Sequence, residues 1–204
     1  MLTITSPLSK AWDLFQKEWK YIYTMGLVFF LVGAFSSQLL EFITKNAGGG
    51  LLQLVASLVT VVISIGLEMM GLFVLLEFLS GKKYEISKLT GLIPEWKRMW
   101  TYFSARLIVG LMVVVGLILL IVPGVYFALR YMFVPLLLVD KKMGISEALE
   151  KSSKMTEGKL MTLFGVMLVL IGLNVLGALA LGVGLLITIP VSSLVPVILY
   201  KDLK

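Results

Sequence analysis

The chain of 204 residues is 59% hydrophobic and 15% charged, and its formal net charge is +6. An average soluble domain is less apolar and about one quarter charged. This composition, with a mean hydropathy of +1.00, therefore excludes an ordinary soluble protein and indicates an integral membrane protein. The sequence contains no Cys and no His. That absence excludes disulfides, thiol catalysis, zinc sites of the Cys/His type and imidazole general bases.

Six apolar segments follow one another along the chain. Several reach the roughly 20 residues that a helix needs to cross a hydrocarbon layer of about 30 Å. The fourth and sixth segments are shorter and contain prolines, so kinked helices or partial spans are predicted there. The six segments are residues 21–44, 51–79, 100–122, 125–139, 160–181 and 185–200.

The connections between the segments alternate between short and long. The short ones, at 46–50, 123–124 and 182–184, contain Gly or Pro, which supply unusual backbone angles and end helices. Each pair of segments is therefore predicted to form a helical hairpin. The longer connections, at 6–20, 84–99 and 145–155, carry apolar residues at helical spacing, which predicts amphipathic helices on the membrane surface. The second of these is weaker, because Gly91 and Pro94 should break it.

The basic residues indicate the orientation in the membrane. Nearly all Lys and Arg residues of the connections fall in the long ones and at the two termini, whereas the hairpin tips hold only Lys45. Basic loops mark the cytoplasmic side, so we expect a multi-pass protein of the cell membrane with both termini in the cytoplasm. The residues expected at the lipid interface, where basic groups attract anionic headgroups, are Trp12, Lys17, Trp19, Lys20, Trp96, Lys97, Arg98 and Trp100.

The predicted fold class is an all-α bundle of six transmembrane segments, built as three hairpins with cytoplasmic amphipathic helices and forming one domain, 1–204. The chain also divides into three similar units, 1–80, 81–140 and 141–204, which predicts an internal repeat. The alternative is that hairpin membrane proteins in general have Gly-rich tips and basic loops. The matching positions in the second and third units are Gly124, Pro135 and Asp140 against Gly184, Pro196 and Asp202.

One tract in the second half of the chain resembles a known family. It contains Pro123-Gly124, Arg130-Tyr131, Pro135 and Asp140, followed by the run SEALEKSS at 146–153 and Gly-Lys at 158–159. It is similar to the membrane domain fused to some bacterial glycerophosphodiester phosphodiesterases, and to small six-helix bacterial membrane proteins without an assigned function. The resemblance implies an all-helical membrane domain. The catalytic barrel of those enzymes, with its His and acidic metal ligands, has no counterpart here, so the resemblance implies no catalytic residue.

Two charged residues lie deep inside apolar segments. Arg130 precedes Asp140 by ten residues and Glu68 precedes Ser80 by twelve, which places them about 15 Å and about 18 Å from the cytoplasmic boundary. Because intramembrane charges are costly when unpaired, we predict that Glu68 contacts Arg130. Such a pair either fastens the hairpins together or lines a solute or lipid pathway. The structural role is favoured, because one pair of opposite charges leaves no surplus for a ligand. Alternatively, Arg130 extends toward the outer interface.

Further polar residues are secondary candidates. Glu77 and Arg106 are predicted to form a shallower ion pair, and Asn174 to make a hydrogen bond to another helix. No phosphate-binding loop, metal motif or catalytic carboxylate pair occurs in the sequence, so we expect no enzyme activity and no cofactor.

Two functional hypotheses follow from these features. The first is a protein that organises or senses lipid, or assists a membrane-protein partner or a second copy of itself. The second is a transporter or lipid-handling carrier with a charged site at the midplane. Nucleic acid is not an expected partner, because membrane anchoring explains the basic residues and their Trp neighbours.

Overall fold

The computed structural model describes residues 3–46, 50–180 and 182–204. The described part is helical throughout, with 86% helix and no strands. Most of the predicted turn at 46–50 and the predicted end of the fifth segment at Leu181 lie outside the described residues. The helices are α1 Thr5–Asn46, α2 Leu51–Leu79, the 3₁₀ segment Ile86–Leu92, α3 Trp96–Leu119, α4 Ile121–Arg130, α5 Val134–Lys141, α6 Ile145–Thr156, α7 Leu160–Leu179 and α8 Leu185–Leu203.

Six helical stretches in the described ranges are long and apolar enough to cross a membrane. This confirms the prediction of six apolar membrane helices. The fourth stretch consists of α4 and α5 together, Ile121–Lys141, and it is broken in the middle. The arrangement as three hairpins and the division into repeat units 1–80, 81–140 and 141–204 stay predictions.

The three predicted surface helices differ from one another. The first is continuous with the first span, since α1 runs unbroken except for a kink at Glu18 with φ −126° and ψ 23°. The second predicted surface helix, at 84–99, is not a continuous α-helix, so that prediction is wrong. Ile86–Leu92 forms a 3₁₀ helix, and Pro94, which lacks an N–H, separates it from α3. The third coincides with α6. That helix buries one face against the protein, where Ala148 is 0% exposed.

The tightly packed core lies at one end of the molecule, called here the basic end. It is formed by the first half of α1, the C-terminal halves of α2 and α8, the N-terminal halves of α3 and α7, the end of α4, and α5 and α6. Polar contacts hold these elements together: Lys10 pairs with Asp202 at 2.7 Å, and Lys83 pairs with Glu18 at 2.6 Å. The largest fully buried side chains are Tyr102, Tyr200, Phe133, Leu137, Leu163 and Leu194.

The C-terminal ends of α5 and α8 meet at the basic end. Tyr200 donates a hydrogen bond of 2.7 Å to the Asp140 carboxylate, and Lys204 contacts the same carboxylate. Lys201 donates to the Ser80 hydroxyl at 2.6 Å, which adds the end of α2. The first helix and the C-terminal ends of three others therefore lie at one end. This is the arrangement that the distribution of basic residues predicts.

Paired glycines bring helices together at the opposite end. A Cβ added to Gly116 of α3 would lie 2.8 Å from the Cα of Gly124 in α4. A Cβ added to Gly184, just before α8, would lie 2.6 Å from the Cα of Gly177 in α7. Both distances are too short for any side chain, so these connections need glycine for close backbone contact. Around them most large apolar side chains are exposed, as lipid-facing residues would be.

We predict that Gly184→Ala destabilises the protein, because its methyl group would meet backbone atoms that have no room to move. Overpacking of this kind costs about 1–3 kcal/mol, measured as the free energy of unfolding in mixed micelles. The matched control is Gly172→Ala on α7, where an added Cβ meets nothing within 4 Å and helix propensity favours alanine. Equal effects of the two substitutions would contradict the close contact.

Candidate functional site

The fourth membrane stretch is interrupted between Arg130 and Val134. Pro135 lies in the first turn of α5, and its ring and missing N–H prevent α4 from continuing. The residues between the two helices form a turn, in which the Val134 amide donates to the Tyr131 carbonyl at 3.1 Å. Non-helical backbone at membrane depth requires partners inside the protein for its polar groups. The predicted kink or partial span in the fourth segment is thus present as a complete break.

Helix α6 supplies these partners through two hydroxyl groups. The Ser152 hydroxyl donates to the Arg130 carbonyl at 2.9 Å and accepts from the Phe133 amide at 3.3 Å. Thr156, one turn later, has its hydroxyl 3.4 Å from the same Arg130 carbonyl. Both side chains are buried, at 0% and 1% exposure. Sequence reasoning missed this pair. The available signal was the spacing of four, which continues the buried face that begins at Ala148.

Arg130 does not contact Glu68, so the predicted pair is wrong. The Arg130 guanidinium donates a hydrogen bond to the Tyr126 hydroxyl and lies 5.4 Å from the centre of that ring. Side chains on a helix point toward its N-terminus, so the last residue of α4 reaches the residue one turn earlier. No carboxylate in the described part of the chain lies within ion-pair distance of Arg130. Its charge is also favoured by the negative end of the α4 dipole.

Glu68 pairs instead with Arg106, whose Nη2 lies 3.0 Å from Glu68 Oε1. The predicted pair of Glu77 and Arg106 is therefore also wrong. Glu77 contacts Lys82 at 3.0 Å, and this hydrogen bond raises the pKa of Lys82 above its ordinary value. The predicted pair is wrong because Arg106 lies deeper along its helix than expected. Helix α3 begins at Trp96 rather than at residue 100. Arg106 thus lies about 15 Å along the helix, at the level of Glu68.

A cavity of about 480 Å³ lies between α3 and the broken α4–α5 stretch. This mid-span cavity lies directly beside the break, and Arg106 supplies its one charged lining residue in the described chain. The side chains of Arg106 and Glu68 are 53% and 38% exposed, so their ion pair is not sealed inside the protein. Tyr102, one turn before Arg106, is buried, and its hydroxyl has no hydrogen-bond partner among the described residues. The lining includes Arg106, Gly110, Tyr131, Met132 and Pro135.

Asn174 makes the predicted hydrogen bond between helices. Its side-chain nitrogen donates to the Ser192 hydroxyl of α8 at 2.9 Å and to the Leu170 carbonyl of its own helix at 2.8 Å. The prediction is confirmed, and the contact joins α7 to α8 within the apolar region. Asn174 lies away from the mid-span cavity lining, which favours a packing role.

The residues predicted for the lipid interface lie at the basic end. Trp12 and Trp19 of α1 are 44% and 49% exposed, and the indole of Trp19 lies 5.7 Å from the Lys20 ammonium. Trp96 and Trp100 of α3 pack edge to face at 5.7 Å and are likewise exposed. Lys17 and Lys97 are exposed beside them. Contact of this group with lipid stays a prediction.

Within the described residues no group of three or more acidic, His or Cys side chains could hold a metal ion. The fold and the site together define a multi-pass helical membrane protein with a broken span and charged residues at mid-depth.

The chain belongs to the family described as protein of unknown function (DUF975), whose model matches residues 102–204. That match includes Arg106, Arg130, Ser152 and Thr156 but not Glu68. Comparison with curated proteins and with solved structures gives no match, and no link to glycerophosphodiester phosphodiesterases is shown.

We predict energetic coupling between Glu68 and Arg106 but not between Glu68 and Arg130. Glu68→Gln should lower the free energy of unfolding because it leaves Arg106 without its partner, and Arg106→Gln should then cost less in that background. The coupling energy for a contacting pair is about 0.5–3 kcal/mol. The control cycle combines Glu68→Gln with Arg130→Gln, whose effects should add. Additivity in the Glu68/Arg106 cycle together with coupling in the Glu68/Arg130 cycle would support the pair that the sequence predicted.

Proposed function

We propose that this protein is a non-catalytic component of the cell membrane that organises or senses lipid. The observation that carries the proposal is a groove of about 310 Å³ between α2 and α3, lined by apolar side chains alone. A groove of this kind on a membrane-facing surface suits a lipid acyl chain. We call it the α2–α3 groove. Its lining consists of Leu58, Val61, Val62, Ile65, Trp96, Met99, Trp100 and Phe103.

A second groove supports the same function. It lies between α1, α2 and α8, has a volume of about 410 Å³ and is almost wholly apolar. Pro190 and Ser193 of α8 line one wall, where the proline leaves room beside the helix. Two open apolar grooves between spans indicate a protein that holds lipid between its helices. A membrane-protein partner or a second copy of the chain would use the same apolar surfaces.

The charge distribution gives the proposed orientation. The basic end carries both described termini and the interfacial tryptophans, so we place it in the cytoplasm. Anionic headgroups of the inner leaflet are then the nearest partners of its lysines, at about 1 kcal/mol for each well-placed charge.

A lipid-handling carrier is the second candidate, favoured by the mid-span cavity. Broken helices mark substrate sites in many transporters, and here the break adjoins the half-exposed Glu68–Arg106 pair. The two candidates differ in one property. If the protein is a carrier, the double variant Glu68→Gln/Arg106→Gln should keep its stability. It should no longer move labelled phospholipid across proteoliposome membranes.

We predict that Val62→Trp reduces the amount of phospholipid retained after purification in detergent, because the indole fills the α2–α3 groove. Native mass spectrometry counts the bound phospholipid molecules, and the variant should retain about one fewer than the wild type. Val175→Trp is the matched control, since Val175 is 52% exposed on α7 and lies outside the groove. Identical retention by the wild type and Val62→Trp would contradict the proposal.

A further inference from the structure

A cavity of about 240 Å³ lies at the basic end between α2, the start of α3 and the end of α5. We call it the rim cavity. Its floor is apolar, formed by Met69 and Phe73 of α2 and by Leu138 and Val139 of α5. Its charged lining residues are Glu95, Arg98 and Lys142, so the lining carries one surplus positive charge.

The two cations of the rim cavity have unused hydrogen-bonding capacity. The shortest contact of Arg98 with Glu95 runs from Nε at the long distance of 3.5 Å, and neither terminal nitrogen of the guanidinium makes a hydrogen bond to another described side chain. Lys142 has no ion-pair partner in the described part of the chain. Other lysines at this end are already paired, including Lys83 with Glu18 and Lys10 with Asp202. The rim cavity therefore combines a guanidinium fork and an ammonium group, the two donors that bind phosphate best.

Lys142 has an unusual backbone conformation at the edge of the rim cavity. Lys142 ends α5 in the left-handed region, with φ 56° and ψ 33°, a conformation that favours glycine. Among the described residues, Lys142 is the one residue other than glycine that has a positive φ. Glycine would fit this conformation better, so we attribute the presence of lysine here to the charge that it places at the rim cavity.

The rim cavity and the α2–α3 groove lie along the same two helices. On α2, Met69 of the rim cavity follows Ile65 of the groove by one turn; on α3, Arg98 lies between Trp96 and Met99 of the groove. An amphipathic molecule can thus place its chains in the groove and its polar end in the rim cavity. The apolar floor disfavours a fully hydrated free ion, because such an ion would lose its water there.

We propose that the rim cavity binds the phosphate-bearing headgroup of an anionic phospholipid, with Arg98 and Lys142 as its ligands and the acyl chains in the α2–α3 groove. This inference rests on the proposed function, and it names the lipid class and the residues that select it. The Arg98 guanidinium faces the phosphate oxygens, and the Lys142 ammonium supplies the surplus positive charge of the lining that matches the net negative charge of an anionic headgroup. A zwitterionic headgroup brings its own ammonium group into the same positive site and binds more weakly.

The test measures retention of phosphatidylglycerol relative to phosphatidylcholine by the full chain from mixed micelles of equal composition, using native mass spectrometry. The wild type should prefer phosphatidylglycerol, and Arg98→Gln or Lys142→Gly should each lower this preference by about fivefold, the effect of one interfacial charge. Lys142→Gly suits the left-handed backbone and should fold normally. Lys45→Gln is the control, because it removes the same charge from an exposed position at the opposite end of the molecule, outside the rim cavity.

Equal preference in the wild type, Arg98→Gln and Lys142→Gly would overturn the inference, as would an equal loss in Lys45→Gln. Displacement of phosphatidylglycerol by excess inorganic phosphate would also overturn it, since the site would then bind free anions. Lipid retention without headgroup preference would refute the rim site alone. Absence of any retained phospholipid would instead refute the proposed function, so the two failures are distinguishable.

Discussion

The hydroxyl of Ser152 satisfies two main-chain groups that lose their helical partners where α4 gives way to α5. In hydrocarbon each of these groups, if unpaired, would cost several kcal/mol. The core at the basic end depends on this contact, because the break redirects the chain so that α5 enters the protein interior. Leu136, Leu137 and Leu138 are at most 6% exposed there. Without the hydroxyl the apolar residues of α5 would have to be buried at the expense of unsatisfied backbone.

The charged residues at mid-depth show a second constraint. Each charged side chain needs a partner, and the direction in which the side chain points decides which partner it contacts. Arg106 lies ten residues inside α3, faces α2 and meets Glu68 at 3.0 Å. Arg130 points back along α4 to Tyr126. The result is one ion pair beside the mid-span cavity and one arginine satisfied by an aromatic hydroxyl and a helix end.

Hydropathy was enough to predict the helical class and most of the span limits. The predicted segment 51–79 coincides with α2, and the predicted start at 185 coincides with that of α8. Pro135 correctly indicated an interruption, because the effect of proline on a helix is local. Local signals were also sufficient for the mid-span Asn174, which must find a partner in hydrocarbon and does so on α8.

The remaining features depend on tertiary contacts that a single sequence does not contain. Hydropathy gave Glu68 and Arg130 matching depths and placed Arg106 nearer the surface, but it gives neither the true start of α3 nor the direction in which a side chain faces. Ser152 lay inside the predicted surface helix 145–155 and Thr156 just beyond its end, whereas both side chains are buried against the break. Lys142 was one basic loop residue among several until the fold placed it opposite Arg98 at the rim cavity.

These contacts support a coherent physical picture of lipid binding. A buried core at the basic end joins the helices, apolar grooves lie between them, and Arg98 and Lys142 line the rim cavity where we propose that headgroups bind. The break in the fourth span gives α5 the position from which Leu138, Val139 and Lys142 complete that rim. The lipid binding that we propose at the rim would thus depend on the same hydroxyl contact that stabilises the core.

Hydrogen exchange at the Phe133 amide, measured in lipid nanodiscs for the wild type and for Ser152→Ala, tests this contact most directly. The amide should be protected in the wild type and should exchange faster in the variant, because the Ser152 hydroxyl is its acceptor at 3.3 Å. Ser153→Ala, the same change one residue further along α6, should leave the exchange rate at Phe133 unchanged. Equal exchange at Phe133 in the wild type and Ser152→Ala would contradict the account.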